Sequence, residues 1–298
     1  MIEFIRWHDL SQTQRLFHGR GHAYQGYEHV NVDWFAPVAL ITLYKEEDAS
    51  FLMPIAHYLM TNLSGCQSVQ VQYRCRPMAP RKVLLGEDIT ETVVQEHTRK
   101  YQVRFGRSQN HGLFLDMVNG RDWLAQHARH KKVLNLFSYT CAFSVAAIQG
   151  GASEVVNVDL SKASLAVGRE NHKLNQQDLT KVKFQGIDIF KSFGRLKKLG
   201  PFDILVCDPP SFQKGSVNIQ RDYGKIIRRL PDFMASGADL LLCLNSPDLD
   251  EAFLKAQVAE HCSDCQFIEQ LDNPEVFKEA HQGKGLKVLH YKFKPSSV

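Results

Sequence analysis

The chain has 298 residues, enough for one large α/β core and a smaller companion. Its apolar and charged shares exclude a disordered chain, and a net charge of only +4 excludes a uniformly basic surface. No stretch approaches the roughly 18 consecutive apolar residues of a membrane span.

The opening residues Met1–Asp9 lack a basic region followed by an apolar run. No signal peptide is expected, and the cytoplasm is the expected location. The cysteines are seven, an odd number that argues for free thiols. Cys262 and Cys265 form one Cys-x-x-Cys, but a structural zinc site needs a second pair. Helix-end packing is expected there, and no metal. Basic clusters at Arg74–Lys82, Arg129–Lys132, Lys197–Lys198 and Arg228–Arg229 permit a polyanionic partner without showing one.

In chain order, residues 1–85 read as a small α+β domain. Ala39–Tyr44 and Ser68–Tyr73 have strand character and flank a helix near Phe51–Asn62. Arg15, His18, Arg20, His22, Tyr24, Tyr27 and Trp34 mix cations with aromatics, which suits base stacking and phosphate contact. The competing reading makes those aromatics core. Residues 86–118 read as a β-rich linking segment.

From 119 to 298 strand and helix patterns alternate. Strands are predicted at Lys132–Phe137, Glu154–Asp159, Val182–Gly186, Phe202–Cys207 and Ala238–Leu244, with helices between them. Two last strands, Cys265–Leu271 and Leu286–Phe293, are joined by a long loop and predict an antiparallel ending. Continuous aliphatic strands between helices define a parallel sheet covered on both faces, hence a doubly wound, Rossmann-like seven-stranded fold.

In such a sheet ligands bind beyond the carboxyl ends of the strands. Asn135 and the turn Phe137-Ser138-Tyr139-Thr140 end the first strand. A carboxylate about 20 residues past the first turn is placed to bind ribose hydroxyls, and Asp159 stands there. Asp188 follows the third strand, where it can accept from an adenine amino group while Ile189 packs on the ring. No G-x-G-x-x-G follows the first strand, so the cradle for a pyrophosphate is missing. S-adenosylmethionine, an adenosine without pyrophosphate, fits these ends.

Asp208-Pro209-Pro210-Ser211-Phe212 closes the fourth strand. Two prolines fix φ and remove two N–H donors. The turn can then hold a planar nitrogenous group on Asp208 and the Pro209 carbonyl, with Phe212 stacking. The competing reading is a plain strand-ending turn. Cys243 lies inside the fifth strand, where apolar surroundings raise a thiol pKa, so it is expected to be core rather than nucleophile.

These motifs carry a resemblance to the bacterial 23S ribosomal RNA methyltransferases of the RlmI and RlmK type, over roughly residues 83–298. Its carriers are Asn110–Asp116, Asn119-Gly120-Arg121, Asn135–Thr140, Val158-Asp159, Gly186, Asp188, Phe190 and Asp208–Phe212. The resemblance implies an S-adenosylmethionine-dependent methyltransferase fold. It also implies that the segment with Phe114 and Asp116 covers the cofactor site and that Asp159-Leu160 and Asp208 contribute to it. It further implies an RNA acceptor, ribosomal RNA being the expected one.

Two positions depart from the family pattern. The family turn ends in glycine where Cys141 stands. The family's 5-methylcytosine members have a cysteine where Asn245 stands, so a base nitrogen is the expected acceptor. A protein or small-molecule acceptor, or a non-catalytic binding protein, are the alternatives.

Overall fold

The computed structural model describes residues 1–210, 212–213, 217–281 and 283–295, without the side chains of Phe212 and Gln213. It divides into two compact units, Met1–Leu115 with Pro274–Gln282, and Asp116–Asn273 with Gly283–Val298. The segments 1–85 and 86–115 thus fall within one unit.

The first unit is a five-stranded sheet, β1 (Gln14–His18), β2 (Val30–Phe35), β3 (Val38–Leu43), β4 (Ser68–Tyr73) and β5 (Arg81–Gly86), in that spatial order. Helix α1 (Ala49–Asn62) crosses over from β3 to β4, the one parallel pair. Asp48 starts this helix by accepting from the backbone N–H of Ser50 at 2.8 Å and Phe51 at 3.1 Å. All six residues of β2 and of β3 are buried, including Asp33, whose charge is met by Arg15. The linking segment forms a hairpin, β6 (Glu91–Glu96) and β7 (Arg99–Arg104), closed by a buried Glu96–Arg99 pair at 2.9 Å. Residues 274–282 belong to this unit, with Ala280 N donating to Gly21 O at 2.7 Å.

The second unit begins with a 3-10 turn at Leu115–Met117 and helix α2 (Val118–His127). Then follow β8 (Lys132–Leu136), α3 (Ala142–Gln149), β9 (Glu154–Asp159), α4 (Lys162–Leu174), β10 (Val182–Gly186), α5 (Phe193–Leu199) and β11 (Phe202–Cys207). A two-residue pair, β12 (Phe212–Gln213) and β13 (Val217–Asn218), precedes α6 (Ile219–Ile227) and α7 (Leu230–Phe233). The chain ends with β14 (Met234–Leu244), α8 (Glu251–His261), β15 (Cys265–Leu271) and β16 (Lys287–Phe293).

The seven-stranded sheet runs β10-β9-β8-β11-β14-β16-β15, with β16 antiparallel to both neighbours. The first strand of this sheet in sequence, β8, is therefore interior, next to the central β11, and the order reverses between the two. Successive residues alternate between two cores, as a period of two requires. Leu134, Val156, Leu205 and Leu242 enter one, and Val133, Val155, Ile204, Leu241 and Cys243 the other. Cys243 is core, as its sequence context predicts. The helix predicted between the third and fourth strands is split into a 3-10 turn, Ile189–Lys191, and α5. Cys262 ends α8 and Cys265 begins β15, both buried with their sulfurs 3.4 Å apart. Among the described residues no His, Cys, Asp and Glu group is placed to hold a metal. No helix is long and apolar enough to cross a membrane.

Candidate active site

Register levels the strand ends. Cys207 pairs with Leu136 and Leu242, Leu136 with Val158, and Gly186 with Asp159. The residues that follow these ends, Phe137–Cys141, Leu160, Asp188, Asp208 and Asn245, leave the sheet at one edge, around the reversal of strand order.

The turn after β8 has an unusual backbone. Phe137, Tyr139 and Cys141 all have positive φ, at 56°, 45° and 62°, a region that non-glycine residues rarely adopt. Four bonds hold it there. Ser138 N donates to Val158 O at 3.1 Å and Cys141 N to Ser138 O at 2.7 Å. Tyr139 N donates to Asp159 Oδ2 at 2.8 Å, and Asn171 Nδ2 to Thr140 O at 2.9 Å. Asp159 also accepts from Ser161 N at 2.8 Å on its other oxygen. Burial raises its carboxyl pKa, against the pull of these two N–H groups. Each oxygen keeps a further lone pair for a hydroxyl.

Cys141 stands where the left-handed conformation favours glycine. Its side chain is fully buried against α4, where Gly168 makes the room. A Cβ at Gly168 would lie 2.4 Å from Cys141 Sγ. The missing glycine of the turn is thus matched by one on the neighbouring helix. No side chain caps α3, which starts immediately after Cys141.

Asp188 accepts from Phe190 N at 2.9 Å, with Lys191 Nζ at 3.5 Å from its second oxygen. Ile189 is buried, whereas Leu160 beside Asp159 is 56 % exposed, an apolar side chain left open at the strand edge. Asn135 turns inward. Its Nδ2 donates to Asn157 Oδ1 at 2.9 Å, and Asn157 Nδ2 donates to Ser144 Oγ at 2.9 Å. The Ser144 hydroxyl lies 2.9 Å from His172 Nε2, and His172 Nδ1 lies 2.6 Å from Gln177 Oε1. Gln177 Nε2 donates to Val145 O at 2.9 Å, so its oxygen accepts from Nδ1–H and His172 Nε2 accepts from Ser144. Burial holds this imidazole down at a pKa of about 4. The Asn135 amide therefore ties β8 to β9 and, through Asn157, to α3.

Asp208 is half-buried at the end of β11. Dehydration pushes its carboxyl up to about 7; the neighbouring Asp116 carboxylate adds to the rise, and the Arg121 guanidinium opposes it. Arg121 itself is buried on α2. Pro209 is buried and Pro210 exposed; Ser211 and the Phe212 side chain lie outside the described residues. Beneath the turn, the Tyr223 hydroxyl of α6 lies 3.2 Å from Cys207 O and 3.0 Å from Cys243 O. Its one proton is shared between the ends of β11 and β14.

Asn245 is exposed after β14. The loop behind it is tied by two lysines of the returning strand segment. Lys287 Nζ, fully buried, donates to Ser246 O at 2.8 Å and Leu249 O at 2.6 Å, and Lys284 Nζ donates to Pro247 O at 2.8 Å. The sequence reading places Arg121 within Asn119-Gly120-Arg121 without a role; Tyr223 and Lys287 escape it, because a side chain that reaches carbonyls remote in sequence leaves no local signal. Phe114 is partly exposed in the first unit, and Asp116 opens the second.

The aromatics of the N-terminal mixture are largely core, the second of the two readings the sequence offers. Tyr24 and Tyr27 pack on Phe4 and Phe17, and Trp34 is buried with Nε1 donating to Leu10 O at 2.8 Å. Arg15 pairs with Asp33, and His18 is buried. Arg20 and His22 alone of the seven line a surface cleft.

A doubly wound sheet with acids at three successive strand ends, and no phosphate loop, defines a domain for an adenosine cofactor. The family profile of S-adenosylmethionine-dependent methyltransferases matches residues 14–292, and the chain belongs to that family. It is 34% identical over 221 residues to ribosomal RNA large subunit methyltransferase I of Aeromonas salmonicida, across 69% of this chain and 56% of that protein. The Escherichia coli protein of that name is 34% identical over 185 residues, across 59% and 47%. The chain spans about half the length of the curated relatives it matches. Among solved structures, a protein of Streptococcus mutans described as a SAM-dependent methyltransferase superposes with a TM-score of 0.85 at 25% identity, over 96% of this chain and 76% of that one. An M. jannaschii tRNA m1G37 methyltransferase shares the fold, with a TM-score of 0.62 at 16% identity over 90% and 72%.

Proposed function

We propose that this chain methylates a nitrogen of a base in RNA, with ribosomal RNA as the acceptor. The observation that carries the reading is the Asp208 turn. It lies at the end of β11, beside the reversal of strand order, and its carboxyl is held near neutrality. The ribosomal RNA relatives support the acceptor class.

The residues fit S-adenosylmethionine. Asp159 has lone pairs for ribose hydroxyls, Leu160 and Ile189 offer apolar flanks for an adenine, and Asp188 can accept from its amino group. The turn Phe137-Ser138-Tyr139-Thr140 and the start of α3 offer backbone to the amino-acid end. When bound, the cofactor supplies a methyl group on a positively charged sulfur.

The chain's own part is positioning. Above its pKa the Asp208 carboxylate accepts from a base N–H, and the Pro209 carbonyl can accept a second, which orients the ring. An exocyclic nitrogen loses a proton on methylation, and a carboxylate titrating near 7 can take it. Asn245 has no sulfur to add to a pyrimidine carbon, and Cys243 is buried with its thiol pKa raised by dehydration. Both favour nitrogen over carbon. Phe212 is the proposed stacking partner.

Mass spectrometry of total RNA nucleosides from a deletion strain beside wild type tests the reading. One methylated base should be missing, and the purified protein should restore it to that RNA with S-adenosylmethionine. An unchanged nucleoside profile, with no methyl incorporation into RNA from the deletion strain, would overturn it.

A further inference from the structure

The first unit carries a cluster that the methyl-transfer reading leaves unused. Strands β1, β3 and β4 run in the same direction, because β2 is antiparallel to β1 and β3, and β3 is parallel to β4. The chain therefore leaves all three at one end of the sheet, and Arg20, Tyr44 and Arg74 follow there. Gly19 lets the chain turn tightly after β1, since a Cβ would lie 1.9 Å from Tyr27 O.

The three side chains form one group. The Arg20 guanidinium lies over the Tyr44 ring, 4.3 Å from its centroid. Arg74 lies 5.6 Å from the same centroid and 3.4 Å from the Tyr44 hydroxyl. The carboxylates around them are engaged elsewhere: Glu46 with Arg76, Glu47 with His29 and Glu28 with the Gly26 N–H. Among the described residues no carboxylate pairs with Arg20 or Arg74. Beside Arg20 and Tyr44 opens a cleft of about 410 Å³, lined also by His22, Lys45, Glu28 and Glu47; Arg74 stands outside this lining, at the Tyr44 hydroxyl. Its volume falls within the roughly 300–1,000 Å³ of ligand pockets.

Neither guanidinium has a carboxylate partner among the described residues, although Arg74 donates to Asn110 Oδ1 at 3.3 Å; two such cations against one ring repel each other, and an anion beside them relieves that repulsion. Arginine matches phosphate oxygens bidentately. A guanidinium stacked on a tyrosine also presents a flat face on which a base can stack. Glu28, half-buried in the lining, can accept from a base N–H. Phosphate, ring and base N–H together describe a nucleotide better than an acidic peptide, which has no use for the stacking face.

We propose that Arg20, Tyr44 and Arg74 bind single-stranded RNA, seating one nucleotide in this cleft. The proposal rests on RNA being the acceptor and gives that RNA a second foothold. The test is fluorescence anisotropy with a fluorescein-labelled oligouridylate 12-mer and the full chain, across a salt series. Wild type should bind, and R20A/R74A should bind at least about tenfold more weakly. The slope of log affinity against log salt should shrink by about 1.4, given roughly 0.7 per phosphate contact on single strands. Tyr44→Phe should bind as wild type does and Tyr44→Ala should not. Calorimetry with S-adenosylmethionine should give the same affinity for every variant, which certifies the fold. Free uridine monophosphate should compete only weakly if the oligomer is the ligand. Wild-type affinity in R20A/R74A would overturn the site, as would no binding by wild type, or an equal loss in K197A/K198A, a lysine pair of the second unit. Methyl incorporation into RNA is scored separately. If it persists while R20A/R74A binds normally, only this site falls; if binding depends on the arginines but no RNA is methylated, the proposed acceptor falls instead.

Discussion

The contact between Cys141 and Gly168 offers a quantitative test of how the cofactor turn is built. A methyl placed on Gly168 would lie 2.4 Å from Cys141 Sγ, 2.9 Å from its Cβ and 3.3 Å from the Thr140 carbonyl carbon. All are inside the roughly 3.5–4.0 Å of a favourable carbon contact. The sulfur has nowhere to swing, because Cys141 is fully buried and its N–H is bonded to Ser138 O. Gly168→Ala must therefore push the turn. Overpacking costs about 1–3 kcal/mol, against the ~1 kcal/mol that alanine gains over glycine inside a helix. A net loss of up to about 2 kcal/mol is expected, together with weaker S-adenosylmethionine binding.

Cys141→Gly removes the obstacle and relieves the left-handed backbone, worth about 1–2 kcal/mol, while losing a small buried side chain. In that background Gly168→Ala should be neutral or stabilising and cofactor affinity should recover. The coupling energy from urea unfolding should be about 1–3 kcal/mol, at unchanged m-values. Additivity of the two substitutions to within ~0.5 kcal/mol, with wild-type cofactor affinity in Gly168→Ala, would refute the reasoning.

Other consequences are as direct. If the Asp208 carboxylate is the acceptor, kcat/KM should rise with pH through about 7 and level above it, and Asp208→Asn should lower activity and remove the inflection. Tyr223→Phe should cost about 1 kcal/mol, the net value of a buried hydrogen bond, and lower kcat by loosening the ends of β11 and β14; wild-type turnover would contradict that brace. Lys287→Met should loosen the 246–249 loop and cost about 1.5–3 kcal/mol, since charged hydrogen bonds are lost, read as a lower urea midpoint. His172 is held neutral, so the unfolded chain takes up its proton first as pH falls. That stability is complete above about 6.5 and is lost as pH falls toward 4, by up to about 3 kcal/mol. Urea midpoints from pH 7.5 to 4.5 should show this slope in wild type and not in His172→Gln.

The seven strands of the second unit were legible because buried parallel strands are continuous aliphatic runs and helices are periodic. The boundaries differ by a few residues at most, except for β14, which begins at Met234 rather than Ala238. The first unit was harder. β3, α1 and β4 were legible as strand, helix and strand; β2 alternates apolar residues with Asn31 and Asp33, which suits a strand, but its burial on both faces is not visible in that pattern. Asp33 is buried only because Arg15, from another strand, meets its charge. The tyrosines of that region read as stacking platforms or, more commonly in a small domain, as core, since a ring is chemically the same in both. Their packing on Phe4 and Phe17 decides for core and leaves Tyr44 as the aromatic beside two arginines that have no carboxylate partner among the described residues.

The Asp208-Pro209-Pro210 turn, the acids after each strand and the missing glycine at Cys141 are all statements the sequence makes alone, because they depend on residue type and on spacing along the chain. Tertiary structure decided what each group does with its hydrogen bonds. Asn135 is spent on Asn157, Asp159 ties down the turn, Asp208 is dehydrated beside Asp116, and Cys141 rests on a glycine 27 positions further on. Burial, charge proximity and steric room are sums over neighbours remote in sequence, so only the folded chain could settle them.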